Sequence, residues 1–317
     1  AREINKAHTT FIDTILRYEH KGRIHADINQ IRSDQGGTVT GRFSYSNPNL
    51  QQIPARNKDL GPMIRSLFIP EENCTWGCFD YSQQEPRLVV HFASTTAGIK
   101  EDPSVKEIVD NYASNDIDFH KTVADMAGID RIQAKTINLG LFYGMGKAKL
   151  QAELGLSTKQ EAEALFNQYH DRVPFVRNLM QETSRWASRE GEIRTLLGRG
   201  CRFNKWEPAQ FGMHTPMTWE DAVKKYGENR IRRAFTYKAL NKLIQGSAAD
   251  MTKKSMLDLY KEGIIAHIQI HDELDLSVES PEQAKKVVEI MENAVKLDVP
   301  NKVDYESGKN WGDIYDK

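Results

Sequence analysis

Two aspartates each follow an apolar segment that the sequence predicts to be a β-strand. Asp80 comes directly after residues 75–79, and Asp272 lies in the turn His271-Asp272-Glu273, after the apolar residues 264–270. If both strands belong to one sheet, the two carboxylates lie side by side, and a cation is needed to offset their repulsion. Two divalent ions about 3.5–4 Å apart would activate a hydroxyl nucleophile and stabilise the leaving oxygen of a phosphoryl transfer.

Each aspartate also has a simpler explanation when it is taken alone. Asp80 could cap the next helix, in which Pro86 suits the first turn because its missing N–H needs no partner there. Asp272 could be an ordinary turn residue, since aspartate tolerates turn dihedrals and bonds its own backbone. The interpretation as a metal site therefore depends on the two aspartates lying side by side.

A third pattern runs along a predicted helix over residues 131–144. Arg131, Lys135, Leu139 and Tyr143 are spaced by four residues and so form one stripe. This order suits a nucleotide, with its phosphates on the two cations and its sugar and base against the leucine and the tyrosine. The alternative is a surface helix with two solvated cations and a buried end.

Several weaker candidates are polar side chains that could contact nucleic acid. Some offer donors for a duplex minor groove, although each could equally be an ordinary polar residue: Arg42, Asn49, Gln52, Asn241 and Gln245. His120 could donate to a phosphate, but a lone histidine is more often structural.

The remaining pattern predicts an α+β fold in which a helical block interrupts a sheet subdomain. We expect a helix over 1–22 that ends at Gly22, an extended loop or hairpin over 38–54, a helix over 85–94, mostly helical structure over 106–186, a helix over 239–261, strands on both sides of 271–273, and a helix over 281–297 before a short tail.

Bulk composition sets wide limits. The 317 residues allow one large domain or two to three subdomains, and a net charge of −1 neither indicates nor excludes nucleic acid. Because no apolar run is long enough to span a bilayer and the start is polar, we expect no membrane partner and a cytoplasmic location. Cys74, Cys78 and Cys201 are too few for a disulfide framework and lack a second pair for zinc, so we expect small buried residues.

Five motifs in order resemble the DNA polymerase I family (family A). Residues 80–87 (DYSQQEPR) resemble its motif A, the set Arg131, Lys135, Tyr143 and Gly144 its motif B, and residues 271–273 (HDE) its motif C. Residues 40–42 with 47–54 (NPNLQQIP) resemble the loop ahead of motif A, and residues 245–250 (QGSAAD) the helix ahead of motif C. The resemblance spans nearly the whole chain from Arg42 to Trp311.

The resemblance implies a palm with an inserted helical fingers subdomain. We expect a thumb remnant at 1–38, palm at 39–95, fingers at 96–234 with the motif B helix at 131–144, and palm again at 235–317. No segment resembles the family's 3′–5′ exonuclease. The resemblance therefore implies a split or truncated polymerase of phage type, located in the host cytoplasm if viral. It is either one half of a split polymerase, whose thumb and exonuclease a separate chain supplies, or an excised fragment. Alone, it should bind DNA weakly and synthesise distributively.

The resemblance also implies roles for individual residues. Asp80, Asp272 and the main-chain carbonyl of Tyr81 would hold two Mg²⁺ ions, with Mn²⁺ as a substitute, and Glu273 would support them. The primer 3′-hydroxyl would attack the α-phosphate of a dNTP and release pyrophosphate. The implied catalytic residues are Asp80, Asp272, Glu273 and Lys135; the nucleotide contacts are Gln83, Glu85, His120, Arg131, Lys135, Leu139 and Tyr143; the primer–template contacts are Arg42, Asn49, Gln52, Asn241, Gln245 and His271.

Two positions depart from the family pattern. Leu139 stands where Phe or Tyr is usual beside the sugar, so we expect strong discrimination against dideoxynucleotides. Tyr237 stands where an arginine is expected, and Lys238 or Arg233 would have to replace that cation.

Two other functions compete with DNA synthesis. A single-subunit RNA polymerase has a similar arrangement of three motifs, but Glu85 and Glu273 favour synthesis of DNA over synthesis of RNA. A catalytically idle DNA-binding subunit would not need the set Asp80, Asp272, Lys135 and Tyr143.

Overall fold

The computed structural model describes residues 7–31, 33, 36–54, 57, 59–114, 117–142, 147–210 and 212–314. In chain order, its α-helices are α1 (Asp13–Arg17), α2 (Leu60–Arg65), α3 (Gln84–Thr95), α4 (Pro103–Ser114), α5 (Phe119–Ala127), α6 (Arg131–Phe142), α7 (Lys147–Glu153), α8 (Lys159–Arg172), α9 (Pro174–Glu190), α10 (Trp219–Tyr226), α11 (Ala239–Lys261) and α12 (Pro281–Asn293).

The strands are short apart from those of one sheet. They are β1 (Glu19–His20), β2 (Arg23–Ile24), β3 (Asp27–Asn29), β4 (Ser44–Ser46), β5 (Thr75–Tyr81), β6 (Glu192–Arg194), β7 (Gly200–Arg202), β8 (Trp206–Pro208), β9 (Ile231–Arg233), β10 (Ile268–Ile270), β11 (Glu273–Val278) and β12 (Val303–Gly308). A π-helical turn, Ala7–Ile12, precedes α1, and a 3-10 turn, Leu50–Gln52, follows β4. The mixture of helices with small antiparallel sheets confirms the α+β class.

The chain divides into two compact units. The first, here called the sheet unit, comprises Ala1–Gln84, Ala248–Lys296 and Asn301–Lys317; the second, the helical unit, comprises Glu85–Ser247 and Leu297–Pro300. The thumb, palm and fingers boundaries expected from the sequence stay predictions. Among the described residues, no helix combines the length and the apolar character that crossing a membrane requires.

The sheet unit is built on a four-stranded antiparallel sheet with the order β10-β11-β5-β12. Strand β5 is one of the two inner strands and is mostly buried, in keeping with its run of apolar and aromatic residues. Gly77 is needed there, because a Cβ atom at this position would lie 2.5 Å from Val278 Cγ2. The aromatic rings of Trp76 and Trp311 stack at 5.9 Å within the core of this unit.

The helical unit buries its own apolar cluster. It contains Ala187, Ile193, Cys201, Phe203, Ala239 and Leu243. Cys201 and Cys78 are buried as expected, whereas Cys74 is only half-buried.

Two predictions about secondary structure are wrong. The helix over 1–22 ends at Arg17, and the following residues form the hairpin β1–β2, because Lys21 and Gly22 adopt positive φ angles of 53° and 76° in a two-residue turn. Arg23 secures this hairpin through two hydrogen bonds to Glu71, at 2.7 and 2.8 Å.

The expected tail after the last helix contains a strand. Helix α12 ends at Asn293, and β12 pairs with β5 along its whole length. This strand carries a run of exposed residues, Asp304 to Ser307, so it lacks the alternation of apolar and polar residues by which strands are recognised.

Candidate active site

The sheet brings the two aspartates to neighbouring strand ends. Asp80 on β5 lies directly opposite Glu273 on β11, and His271 and Asp272 form the two-residue turn between the paired residues Ile270 and Glu273. The backbone N–H of Tyr81 donates to the carbonyl of Asp272 at 3.3 Å. The convergence expected from the sequence is therefore present, and His271, with φ of 56°, provides the turn that allows it.

A further carboxylate, which the sequence analysis missed, flanks Asp80 on its other side. Asp304 on β12 is the direct cross-strand neighbour of Asp80. It also lies 3.5 Å from the ammonium group of Lys302. Partial desolvation, followed by the charges of Asp272, Glu273 and Asp304, raises the pKa of Asp80 to about 8.

These groups fit a hard divalent cation. The carboxylates of Asp80 and Asp272 and the main-chain carbonyl of Tyr81 would offer oxygen ligands, which Mg²⁺ and Mn²⁺ prefer. Desolvation and the charges of three neighbouring carboxylates raise the pKa of Asp80, and a bound cation would offset both effects. The side chain of Tyr81 is buried and its hydroxyl hydrogen-bonds Ser255 at 2.7 Å, which fixes the backbone at this position.

The raised pKa of Asp80 gives a testable pH dependence of stability. Since the folded state binds this proton more tightly than the unfolded state, the metal-free protein should lose stability as the pH rises from about 4 through about 8. Asp80→Asn removes this effect, so it should raise Tm in EDTA more at pH 8 than at pH 5. Mg²⁺ should stabilise the wild type more at pH 8, because the metal binds the ionised carboxylate.

Differential scanning fluorimetry at both pH values checks this prediction. Asp59→Asn is the control, because Asp59 is exposed and caps no helix through its side chain. Equal Tm changes for Asp80→Asn at pH 5 and pH 8 would contradict the assignment of the raised pKa.

Two candidates for nucleotide contact follow Asp80 in the chain. Gln83 adopts a positive φ of 53° and precedes α3, and Glu85 lies half-buried in the first turn of α3. The neighbouring Gln84 is held by a hydrogen bond to Thr252 at 3.4 Å. Gln83 lies three residues after the metal-ligand candidate Asp80, in the connection between β5 and α3.

In the helical unit, α6 presents the predicted stripe. Arg131 and Lys135 are exposed and Leu139 is half-buried, whereas Ala134 and Ile137, between them in sequence, are buried. Tyr143 lies outside the described residues. The part of the stripe that the structure describes has the exposure required for contact with a ligand.

Arg131 and His120 have partners that bear on phosphate binding. Arg131 forms an ion pair with Asp118, with its Nη2 atom 2.6 Å from the carboxylate. His120 Nδ1 lies 3.1 Å from the side-chain nitrogen of Asn138. Burial, together with the charges of Lys135 and Arg131, lowers the pKa of His120 to about 4, although Asp118 opposes this shift. His120 is therefore neutral at pH 7 and would contact a phosphate as an N–H donor.

The candidate DNA contacts occupy both units. In the sheet unit, Asn49 accepts a hydrogen bond from Gln51 N at 3.1 Å and so caps the turn Leu50–Gln52, Gln52 is exposed, and Arg42 and His271 line one small pocket. In the helical unit, Asn241 and Gln245 are half-buried and lie four residues apart on α11.

A cation in the small pocket was missed by the sequence analysis. Lys253 lies 4.5 Å from the Phe43 ring, and its Nζ donates to the carbonyl of Gln30 at 3.0 Å. Its place on α11, eight residues after Gln245, could have indicated it.

The cation expected near Tyr237 has two candidates. Arg233 donates to the carbonyl of Phe203 at 3.0 Å and covers the ring of Trp206 at 4.6 Å. Lys238 is exposed, with its ammonium group 5.6 Å from the Tyr237 ring. Because the guanidinium group of Arg233 is already engaged by contacts within the helical unit, Lys238 is the better candidate for the cation that the sequence analysis expected.

Comparisons with known proteins agree on one family. The sequence profile of DNA polymerase family A matches residues 1–313. The DNA-directed DNA polymerase of Pseudomonas phage M6 is 35% identical over 98% of this chain and 50% of its own length. The thermostable DNA polymerase I of Thermus aquaticus is 34% identical over 98% of this chain and 35% of its own length.

A solved structure is similar over the same extent. The POL domain of Pol1 from M. smegmatis, in complex with DNA primer-template and dNTP, has a TM-score of 0.76 and 29% identity, and covers 99% of this chain and 52% of that one. The chain thus spans about half or less of the lengths of the proteins it matches.

Proposed function

The chain belongs to DNA polymerase family A, and from this premise we propose that it extends a DNA primer on a DNA template by adding dNTPs. The observation that carries the proposal is the convergence of Asp80, Asp272 and Glu273 at one end of the sheet. The solved relative that holds DNA primer-template and dNTP supports the same partners.

The sheet unit would supply the reaction centre. Asp80, Asp272 and the carbonyl of Tyr81 would hold two magnesium ions, and Glu273 would support this arrangement from its position opposite Asp80. Bound magnesium would lower the pKa of the primer 3′-hydroxyl and stabilise the charge on the departing pyrophosphate. Arg42, Asn49, Gln52 and His271 would hold the primer–template.

The helical unit would supply the nucleotide contacts. Lys135 and Arg131, both exposed on α6, would neutralise the triphosphate, and His120 would donate an N–H to it. Arg131 would exchange its ion pair with Asp118 for a phosphate. Before the nucleotide binds, Asp118 would hold the guanidinium group of Arg131 in an ordered position. Asn241 and Gln245 on α11 would add contacts to the DNA.

Primer extension with separate dNTP and rNTP pools tests this function. We expect dNTP incorporation that requires Mg²⁺ or Mn²⁺ and stops in EDTA. Glu85 favours DNA synthesis, because its carboxylate would leave a ribose 2′-hydroxyl without room. Preferential use of rNTPs would identify the RNA polymerase alternative, and DNA binding without extension would identify the idle subunit. The expectation of a separate chain that supplies thumb and exonuclease stays a prediction.

Leu139 should make the enzyme discriminate strongly against dideoxynucleotides. Its half-buried side chain on α6 offers neither a ring face nor a hydroxyl in place of the missing 3′-hydroxyl. Leu139→Tyr supplies both, and should raise ddNTP relative to dNTP incorporation by about tenfold or more, the effect of one added hydrogen bond in a dry site.

Single-turnover incorporation of one ddNTP and the matching dNTP measures this ratio. Leu139→Met is the control, because it changes the shape of the side chain while keeping it aliphatic. A wild-type chain that uses both nucleotides equally well would refute the role of Leu139.

A further inference from the structure

A second carboxyl group of β11 lies beneath Glu273 on the same face of the strand. Asp275 is two residues further along, and side chains two apart on a strand share a face. Asp275 lies opposite Cys78, just as Glu273 lies opposite Asp80. One carboxylate oxygen of Glu273, one of Asp275 and the Cys78 sulfur all lie within 4.8 Å of one another.

Asp275 is fully buried, with an exposed fraction of 0%. Its Oδ1 atom accepts hydrogen bonds from Trp76 Nε1, at 3.3 Å, and from the Cys78 thiol. Its Oδ2 atom is buried and receives no hydrogen bond from the described residues. An ionised carboxylate with one oxygen left in this state would be costly, whereas a neutral acid would carry its proton on Oδ2.

The surroundings of Asp275 favour the neutral form. Among the residues that the structure describes, the titratable groups that interact with Asp275 are Cys78 from β5, Glu273 from its own strand and Tyr45 from β4. None of these side chains becomes positive, so none stabilises a negative charge. Burial first, and then the charge of Glu273, raises the pKa of Asp275 well above its usual range, and burial likewise raises the pKa of Cys78, which keeps it a thiol donor.

We propose that Asp275 is a positioning residue: it remains protonated, and its Oδ2–H donates a hydrogen bond to the Glu273 carboxylate that fixes Glu273 opposite Asp80. This inference rests on the proposed function, because Glu273 matters only if the cluster is catalytic. Trp76 and Cys78 both donate hydrogen bonds to Oδ1, which leaves Oδ2 as the oxygen that would carry the proton.

The arrangement limits the charge of the cluster. Burial and then the charges of Asp272, Glu273 and Asp304 already raise the pKa of Asp80, and an ionised Asp275 would add a further negative charge to this cluster. A protonated Asp275 instead stabilises Glu273 without adding charge. The interaction positions Glu273 and transfers no proton during the reaction.

Two substitutions at Asp275 separate the hydrogen bond from packing. Asp275→Asn keeps an acceptor for Trp76 and Cys78 and an N–H donor for Glu273, whereas Asp275→Val keeps only an apolar side chain. In single-turnover extension, D275V should lower the maximal rate about tenfold, as expected for one lost hydrogen bond to a charged group. D275N should keep most of the wild-type rate. In both variants the dNTP concentration that gives the half-maximal rate should change by less than tenfold.

The control variant is Leu276→Val on the same strand. Leu276 is buried but points to the opposite face, so L276V should lower Tm without the rate loss. In a double-mutant cycle with Glu273→Gln, the rate losses should be non-additive. Once Glu273 is replaced by an uncharged side chain, the charge-assisted hydrogen bond that D275V removes is already lost. Equal rate losses in D275N and D275V, or additive losses in the cycle, would overturn the proposal.

Spectroscopy tests Asp275 independently of polymerase activity. The infrared difference between wild type and D275N at pH 8 should contain the carbonyl band of a protonated carboxylic acid. Carboxylate bands alone would overturn the proposal, as would stoichiometric zinc binding that Cys78→Ser abolishes, since zinc would require these groups to be ionised. If the wild-type chain extends no primer, the proposed function fails, yet the infrared band still decides the state of Asp275. Because the infrared comparison uses only wild type and D275N, it also determines the protonation state of Asp275 if D275V does not fold.

Discussion

Asp80→Ala should abolish primer extension while leaving DNA binding nearly unchanged. Asp80 lies at the centre of the carboxylate cluster, with Glu273 opposite on one side and Asp304 on the other. Without it, the proposed ions lose a shared ligand, so we expect the extension rate to fall by about a thousandfold or more. Single-turnover extension gives the rate, and fluorescence anisotropy of a labelled primer–template gives the binding constant.

Loss of folding should not account for this result. Because the pKa of Asp80 is raised, its removal should stabilise the metal-free protein at pH 8 rather than destabilise it. Asp304→Asn is the matched control: it removes a carboxylate from the other flank of Asp80, and we expect a rate within about threefold of wild type because Asp304 is exposed and shielded by Lys302. Survival of extension in Asp80→Ala would refute the assignment of the metal ligands.

Lys135→Ala should produce the second-largest loss. Lys135 is exposed one helical turn after Arg131 on α6, and a triphosphate bound there would lose a direct charge-assisted contact. We expect the maximal extension rate, divided by the dNTP concentration that gives half of it, to fall by about 100-fold. The maximal rate should itself fall, because the leaving pyrophosphate gains negative charge in the transition state. Pre-steady-state extension over a range of dNTP concentrations separates the two effects.

The matching control uses another exposed lysine of the helical unit. Lys106 on α4 is also exposed but lies on a different helix, so Lys106→Ala should leave both kinetic parameters close to wild type. If Lys106→Ala and Lys135→Ala weakened nucleotide use equally, the effect would reflect net charge rather than a specific contact.

Sequence reasoning found the parts of the site that local patterns encode. Asp80 follows an apolar strand, and His271-Asp272 forms the tight turn of a hairpin, so both were recognisable from strand and turn signals alone. The helix Ala239–Lys261 was predicted with its observed bounds. The family resemblance then supplied roles that no local pattern could assign, and these roles stay predictions.

The missed features depend on partners distant in sequence. Asp304 belongs to a strand whose exposed side chains give no apolar alternation, and its place beside Asp80 arises only from sheet pairing. The strand after residue 264 begins later than expected, at Ile268, following the positive-φ residue Gly263. Asp275 looked like one polar residue in an alternating strand, whereas both faces of the strand are largely covered.

The order of the strands in the central sheet constrains how the protein can mature during translation. The strand that carries Asp80 is made first of the four, and both of its neighbours, Glu273–Val278 and Val303–Gly308, are made roughly two hundred residues later. Until then, an apolar strand has both edges unpaired, which favours association with other nascent chains. Slow growth of the chain, or stalling before residue 308, should therefore yield aggregated rather than partly active product.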